Sequence, residues 1–195
     1  KDINVKVYKE EDSMVAVGKI REESVPIINY LNEVREGDVS DDQNVQRYFC
    51  SDNAFINGIG VTTLTGDYLP PIILGEIPLQ DGIVQKYIVD AMQRTSALMK
   101  IRYGNYKFTS SIENDEIEYQ TKVLDENGTA LRDEDNNFIW EKKSFHLKGH
   151  TFDELPDELK KRFDRFQLRI VTHQNCTMDD ISMLIRRYNN HKSMG

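Results

Sequence analysis

The sequence predicts an α+β fold in which a small mixed sheet carries helices on its flanks. Three observations predict this class. Short apolar runs of strand length recur along the chain, amphipathic segments of helical length separate them, and residues 110–145 form a β-rich stretch typical of an inserted hairpin. With 195 residues the chain is long enough for one sizeable core, so residues 1–195 are expected to form a single domain.

Two helices are predicted in the first third of the chain. Ser24 is placed to cap a helix that carries an apolar stripe at helical spacing and stops before Gly37. A second helix is expected to start at Ser51 or Asp52 and to run toward Thr65, where a glycine follows.

A strand, a sharp turn and a helix follow one another at the centre of the chain. Residues 68–75 are a nearly continuous apolar run opened by prolines, which predicts a largely buried strand. Residues 85–90 predict a second strand, and residues 92–102 predict a helix of high helix propensity. This order places the segment Asp90–Arg94 at a helix N-terminus, where backbone N–H groups bind anions readily.

The second half is predicted to contain a hairpin followed by a helix, a strand and a helix. Strands over 117–124 and 138–142 flank the turn signal Asp-Glu-Asn-Gly. The aromatic side chains of this hairpin, which include Trp140, are expected to pack within it and not to stack on bases. A short helix from Asp157, a strand over 166–172 and a helix capped by Thr177 complete the prediction.

The composition excludes several classes of protein. A formal net charge of −8 argues against nonspecific coating of duplex DNA, because such proteins carry a basic face that neutralises phosphates. Cys50 and Cys176 lie far apart without ligand-like neighbours, so they are expected to be free thiols, and no zinc motif is present. No apolar run reaches the roughly 18 to 20 residues of a membrane span, and a cytoplasmic location is expected. Because the chain begins with Lys1, it is expected to be trimmed.

Four segments, in this order along the chain, resemble one known family. They are Val45–Phe49, Leu69–Leu74, Asp90–Arg94, and the C-terminal stretch that opens at Leu155-Pro156-Asp157 and reaches Arg187-Tyr188-Asn189. This set is similar to the N-terminal domain of GmrSD-type restriction endonucleases, a prokaryotic and phage family that acts on modified DNA and whose domain is ParB/sulfiredoxin-like. The hallmark of that domain is an Asp-Gly-x-Gln-Arg motif at a strand-to-helix turn, with a Gln-Arg pair upstream and an Arg-Leu-Asn element downstream.

The resemblance covers roughly residues 24–194 apart from the β-rich stretch. The sequence departs from the family pattern at several positions. Ala91 stands where the family has glycine, Cys50 where tryptophan is frequent, and Tyr188 where the family has leucine. Ala91 matters most, because glycine permits a positive φ and a close approach of the backbone to a ligand. The substitution weakens the expectation that catalysis is retained.

The resemblance implies a nucleotide-binding regulatory or specificity domain of a DNA-restriction or phage-defence protein, with hydrolysis of the nucleotide left open. The implied cofactor is a nucleoside triphosphate with Mg²⁺, and the implied partners are DNA, through a larger assembly, and a nuclease domain or subunit. Nuclease activity is not expected from this chain alone. The implied site residues are Asp90, Gln93 and Arg94 for catalysis and Gln46, Arg47, Arg94, Arg187 and Asn189 for binding the nucleotide and its phosphates.

The chemistry of these residue types is compatible with that reading and with a simpler one. The planar guanidinium of Arg94 can bind two phosphate oxygens, Gln93 can orient a water, and Asp90 can hold a metal-bound water. An Asp and an Arg four residues apart across a helix start can also form a cap and an ion pair that only stabilise the turn. Arg187, near a helix C-terminus, can simply complement the helix dipole.

Two other functions stay open. The first is a non-catalytic ParB-like module that binds DNA or a protein partner, and the negative net charge favours the protein partner. The second is a ParB-like nuclease that acts on single-stranded DNA. The nucleotide hypothesis requires Arg47, Asp90, Arg94 and Arg187 to gather around one concave site.

Overall fold

The structure is a computed structural model that describes residues 19–40 and 52–192. Within these residues it is a mixed α+β fold, as the sequence predicts. The helices are α1 (Ile27–Glu36), α2 (Asn53–Thr65), α3 (Met92–Tyr103), α4 (Asp157–Arg165) and α5 (Met178–Lys192). The strands are β1 (Ile20–Pro26), β2 (Val39–Ser40), β3 (Ile72–Pro78), β4 (Val84–Asp90), β5 (Glu116–Lys122), β6 (Trp140–His146) and β7 (Gln167–His173).

The chain divides into two units. The first, called the sheet unit, has its described parts at 19–40, 69–96 and 167–192 and carries a five-stranded sheet. The second, called the hairpin unit, comprises the described residues 52–68 and 97–166 and carries the antiparallel pair β5–β6. These units are regions of dense contact within one chain, and the expectation of a single domain stays a prediction.

The sheet of the sheet unit is mixed. Its strand order is β1-β7-β3-β4-β2, with antiparallel pairs at β1–β7 and β3–β4 and parallel pairs at β7–β3 and β4–β2. The middle strand β3 is buried from Ile72 to Glu76, which accounts for the nearly continuous apolar run in its sequence. Within β3, Gly75 leaves the space that the Ile181 side chain of α5 occupies, so the glycine allows α5 to lie close to the sheet.

The helix α5 covers one face of this sheet. Ile181 and Leu184 of α5 join Ile73, Val89 and Cys176 in a buried cluster. The Cys176 thiol is free and buried, as expected, whereas Cys50 lies outside the described residues. The cluster fixes the position of the last helix against β3 and β4, which carry the candidate site.

The first helix begins later than the sequence predicts. Ser24 lies in β1, where it pairs with Arg169 of β7, and α1 starts at Ile27 after Pro26. The prediction that Ser24 caps the helix is therefore wrong. The strand partner of this segment lies in the last quarter of the sequence, beyond the reach of a local helix signal. Gly37 ends the helix at a φ of 84°, as predicted.

In the hairpin unit, the predicted helix and hairpin are both confirmed. The Asp52 carboxylate caps α2 by accepting the N–H groups of Ala54 and Phe55, and Gly66 ends the helix at a φ of 71°. The strands β5 and β6 pair in an antiparallel register that runs from Glu116 opposite His146 to Lys122 opposite Trp140.

The hairpin continues into two tight turns, called the tip turns, over residues 125–129 and 133–137. In each, the first Asp accepts the N–H groups of the residues two and four positions later, at 2.8 or 2.9 Å. The residue three positions after the Asp has a positive φ, 80° at Gly128 and 67° at Asn136. The two tip turns therefore use the same local hydrogen bonds.

Candidate functional site

The candidate site lies where β4 passes into α3. The strand ends at Asp90 and the helix begins at Met92, so the predicted strand, turn and helix are confirmed. Between them, Ala91 has a φ of 89° and is only 3% exposed. The left-handed region costs an L-residue roughly 1 to 2 kcal/mol. The surrounding structure thus holds Ala91 in a conformation that glycine adopts without strain.

A β-bulge precedes this turn. Ile73 pairs with Asp90 and Leu74 pairs with Ile88, so Val89 is the additional residue on β4. Val89 packs in the cluster under α5, and the charge of Asp90 acts on Tyr188, which also belongs to α5. The bulge thus interrupts the regular alternation of side chains along β4 immediately before the turn.

The side chain of Arg94 is bound by protein atoms on both sides. One terminal nitrogen donates to the carbonyl of Pro70 and the other donates to the carbonyl of Pro71 at 3.1 Å. The second nitrogen also lies 3.8 Å from Oδ2 of Asp90. The side chain is 13% exposed; its hydrogen bond to Pro70 is made at an exposed position and the one to Pro71 at a partly buried position.

These contacts are made to the two prolines that precede β3. A proline has no N–H group, but its carbonyl can still accept a hydrogen bond. Arg94 uses two such carbonyls to fasten the entry of β3 to the start of α3. The guanidinium is therefore engaged with the chain's own backbone, which the sequence did not predict, and also with Asp90, as the alternative of an ion pair predicts.

The two residues on either side of Arg94 have opposite environments. Gln93 is exposed on the first turn of α3, whereas Thr95 is fully buried and its hydroxyl lies 2.9 Å from that of Tyr30 in α1. Complete burial raises the pKa of Tyr30, against the smaller opposing effects of the Thr95 hydrogen bond and the Arg94 charge. The first turn of α3 is thus held on its inner side by α1 and open on its outer side.

A histidine and a tyrosine connect α5 to the sheet near the turn. Nε2 of His173, the last residue of β7, lies 3.2 Å from the hydroxyl of Tyr188. Burial and the nearby Arg187 charge both lower the pKa of His173. Burial raises the pKa of Tyr188, and the charge of Asp90 raises it further while Arg187 opposes the rise. Asp90 and Arg187 are therefore both within electrostatic reach of one phenol.

Arg187 lies on the exposed side of α5 beside a cavity of about 160 Å³. His173 and Cys176 line the same cavity from the sheet side, and Asp180 lines it from α5. Burial raises the pKa of the Cys176 thiol, which favours its neutral form. The capping role predicted for Thr177 is confirmed, because its hydroxyl accepts the N–H of Asp180 at 3.1 Å.

The structure brings together part of the predicted site. Asp90 and Arg94 form an ion pair at 3.8 Å, and the charges of Asp90 and Arg187 both act on Tyr188. Gln93 and Asn189 are exposed on α3 and α5. Gln46 and Arg47 lie outside the described residues, so their convergence on the turn stays a prediction.

The sequence analysis missed His173 and Tyr188 as members of this group. His173 carries no motif, and its polar character at the end of an apolar strand is its only local signal. Tyr188 appeared only as a departure from the family's leucine. Its hydrogen bond to His173 joins two elements, so it depends on the packing of α5 on the sheet.

Comparisons with known proteins do not assign the chain. No family model matches it, and neither a curated protein nor a solved structure matches. Among residues 19–40 and 52–192, no group of three or more His, Cys, Asp or Glu side chains could hold a metal ion. No helix in that part of the chain combines the length and apolar character needed to cross a membrane.

Proposed function

We propose that this chain is a ParB/sulfiredoxin-like, nucleotide-binding domain similar to the N-terminal domain of GmrSD-type restriction endonucleases. Its role would be regulation or specificity in a DNA-restriction or phage-defence protein. The observation that carries the proposal is the positive φ of Ala91 between β4 and α3. Glycine is the residue suited to that conformation, and glycine occupies this position in the family motif.

The phosphates of the nucleotide would lie at the start of α3. The first hydrogen bond of this helix runs from Thr95 N–H to the Ala91 carbonyl, so the N–H groups before Thr95 are directed toward the helix N-terminus. Such a position attracts anions through its N–H groups and through the helix dipole. The exposed amide of Gln93 adds a neutral donor on the outer side of the same turn.

Arg94 would contribute by holding the turn in place. Arg187, whose charge acts on Tyr188 and whose side chain is exposed, would supply the cation that binds the phosphates. The proposal places binding ahead of hydrolysis, because the Asp90 carboxylate and the Arg94 guanidinium already interact with each other. Mg²⁺ would arrive with the phosphates. Asp90 is the single carboxylate of the turn and is paired, so the described residues do not form a magnesium site of their own.

Calorimetric titration with GTP, ATP and CTP, each with and without Mg²⁺, tests the proposal. Arg187→Ala is expected to weaken binding by about tenfold, the effect of one charge-assisted contact. Its matched control is Arg186→Ala, because Arg186 is the adjacent exposed arginine of α5 but does not line the cavity beside His173. Absence of heat with all three nucleotides, or equal losses in both variants, would contradict the proposal.

A second candidate function is a non-catalytic ParB-like module that binds a protein partner. The observation that favours it is the engagement of Arg94 with Pro70 and Pro71, which makes the Asp90–Arg94 segment part of the scaffold. The net charge of −8 also suits a basic protein partner. This candidate would be preferred if the wild-type chain bound no nucleotide while remaining folded by circular dichroism.

A further inference from the structure

One face of the β5–β6 hairpin and of the segment that joins the two strands carries both aromatic and basic side chains. Lys122 lies opposite Trp140, Gln120 lies opposite Lys142, and Phe138 lies opposite Arg132. Directly opposed residues share a face, and residues two apart on a strand share it as well. This set is called the aromatic face, and it comprises Gln120, Lys122, Arg132, Phe138, Trp140 and Lys142.

Two cations of the aromatic face, Lys122 and Arg132, make cation–π contacts with its rings. The ammonium of Lys122 lies 3.9 Å from the centroid of the Phe138 ring and 5.5 Å from that of Trp140. The guanidinium of Arg132 lies 3.9 Å from the Phe138 centroid. Trp140 nevertheless stays 51% exposed. The expectation that this tryptophan packs within the hairpin therefore holds only in part, since about half of the residue is exposed to water.

A basic groove begins at the same face. It has a volume of about 380 Å³, and Gln120 lines it together with Lys161, Arg162 and Arg165 of α4. Arg162 is fixed in place, because it donates to the carbonyls of Leu64 at 2.8 Å and Glu118 at 3.1 Å. Gln120 belongs to both surfaces, so the groove and the aromatic face are continuous.

The residues that form these two surfaces include more cations than acids. The aromatic face has Lys122, Arg132 and Lys142, of which Lys142 is paired with Glu118 at 3.1 Å. Glu158 is the single acid among the residues that line the groove, whereas Lys161, Arg162 and Arg165 are its cations. A chain of net charge −8 thus presents cations together with an exposed indole ring at this place in the hairpin unit.

We propose that the aromatic face and the basic groove form a binding site for single-stranded nucleic acid, separate from the nucleotide site. The groove would bind the phosphates through Lys161 and Arg165, and an unpaired base would stack on Trp140. This combination of a basic track and an exposed ring is what single strands require, because every base has a π-face. A duplex keeps its bases stacked on each other, so it cannot use the indole.

The chain contains one tryptophan, so its fluorescence reports on Trp140 alone. Titration with an oligothymidylate of about twelve nucleotides is expected to quench that fluorescence. The logarithm of the affinity should fall linearly with the logarithm of the salt concentration, since bound phosphates release counterions. Trp140→Ala lacks the fluorophore, so its binding is measured by the anisotropy of a labelled oligonucleotide. Its affinity should be lower than that of the wild-type chain by about tenfold or more.

Two neighbouring lysines supply a matched pair of variants. Lys142 lies on the aromatic face and Lys143 on the opposite face, and both are exposed and paired with a glutamate at 3.1 and 3.3 Å. Lys142→Ala is expected to weaken binding by about fivefold, whereas Lys143→Ala should leave it unchanged. A double variant of Lys161 and Arg165 to Ala should reduce the salt slope by about 1 to 1.5.

Three results would overturn the proposal. One is the absence of both quenching and an anisotropy change with the wild-type chain. The second is equal affinity for the oligothymidylate and for a duplex or a polyglutamate of similar length, which would mean attraction of anions without base stacking. The third is an equal loss of affinity in the Lys142 and Lys143 variants.

Discussion

Two kinds of turn in this protein place a residue at a positive φ, and they reach that conformation by different means. In the tip turns, Gly128 and Asn136 take the left-handed region, and the preceding Asp binds the backbone of its own turn. In the Asp90–Arg94 turn, an alanine takes it, Ala91, while Asp90 and Arg94 form an ion pair and Arg94 binds the segment before β3.

The difference separates local from tertiary control of a backbone conformation. Glycine and asparagine tolerate a positive φ by themselves, and an Asp side chain supplies the hydrogen bonds of the turn. Alanine does neither, so contacts from outside the turn must offset its strain. Those contacts include Arg94 with Pro70 and Pro71, which tie together segments separated by a whole strand pair.

Removing the tertiary support should have the largest effect. Arg94→Ala is expected to lower the free energy of unfolding by about 3 kcal/mol, because it leaves two carbonyls and the Asp90 carboxylate without their cation. Arg132→Ala is the control, since Arg132 is exposed, donates to the Asn136 carbonyl at 2.8 Å and lies 3.9 Å from the centroid of the Phe138 ring. It should cost about 1 kcal/mol or less in urea unfolding. Equal losses of unfolding free energy in Arg94→Ala and Arg132→Ala would contradict the difference between tertiary and local control.

Relieving the strain at Ala91 should stabilise the protein. Ala91→Gly removes the left-handed penalty of about 1 to 2 kcal/mol and adds the entropic cost of glycine, for a net gain of about 1 kcal/mol. Asn136→Gly should gain only a few tenths of a kcal/mol, because asparagine already tolerates its φ of 67°. Thermal unfolding of both variants measures this difference, and a destabilised Ala91→Gly would show that the conformation carries no strain.

Disrupting a tip turn should stay local. Asp133→Ala removes the acceptor of two backbone N–H groups, both bound at 2.9 Å, and should cost about 1 kcal/mol or less at an exposed site. Hydrogen exchange is expected to rise at the amides of residues 133–137 and to stay unchanged in β3 and β4. Faster exchange in the sheet strands would mean that the tip turn has more than local control.

Acid should affect the sheet unit before the hairpin unit. The pKa of His173 is lowered from 6.5 by burial and by Arg187, so the neutral form is favoured on folding, and stability falls as the pH drops below about 6.5.

At Asp115, in the hairpin unit, burial acts to raise the pKa, but the hydrogen bond from Lys148 N–H and the interaction with His146 lower it below 3.8. Stability from Asp115 is present above about 3.8 and is lost as the pH falls through the lowered pKa.

Hydrogen exchange as a function of pH separates the two contributions. Protection factors, which correct for the slower intrinsic exchange in acid, should fall first in β7, and His173→Gln should abolish that early fall while leaving β5 and β6 unaffected. A simultaneous fall of the protection factors in β7 and β5 near pH 6 would contradict the assignment to His173.

Much of the secondary structure could be predicted because its signals are local. Asp52 and Gly66 mark the two ends of α2, and Thr177 marks the start of α5 through its own hydroxyl. The boundary at Ser24 could not be predicted, since the preference of that segment for a strand depends on β7. The local sequence also contains the strand-to-helix turn at Asp90–Arg94, but not the partners of its side chains.

The amino-acid sequence alone determined the α+β class, the tip turn that begins at Asp125 and the position of the candidate turn. These features depend on side chains that act within a few residues of their own backbone. Only the tertiary structure decided that Arg94 binds Pro70 and Pro71, that Tyr188 meets His173, and that Ala91 is held at a positive φ. Each of these depends on the packing of distant segments against one sheet. A pattern of a few neighbouring residues does not specify that packing, because its free energy comes from contacts far apart in the sequence.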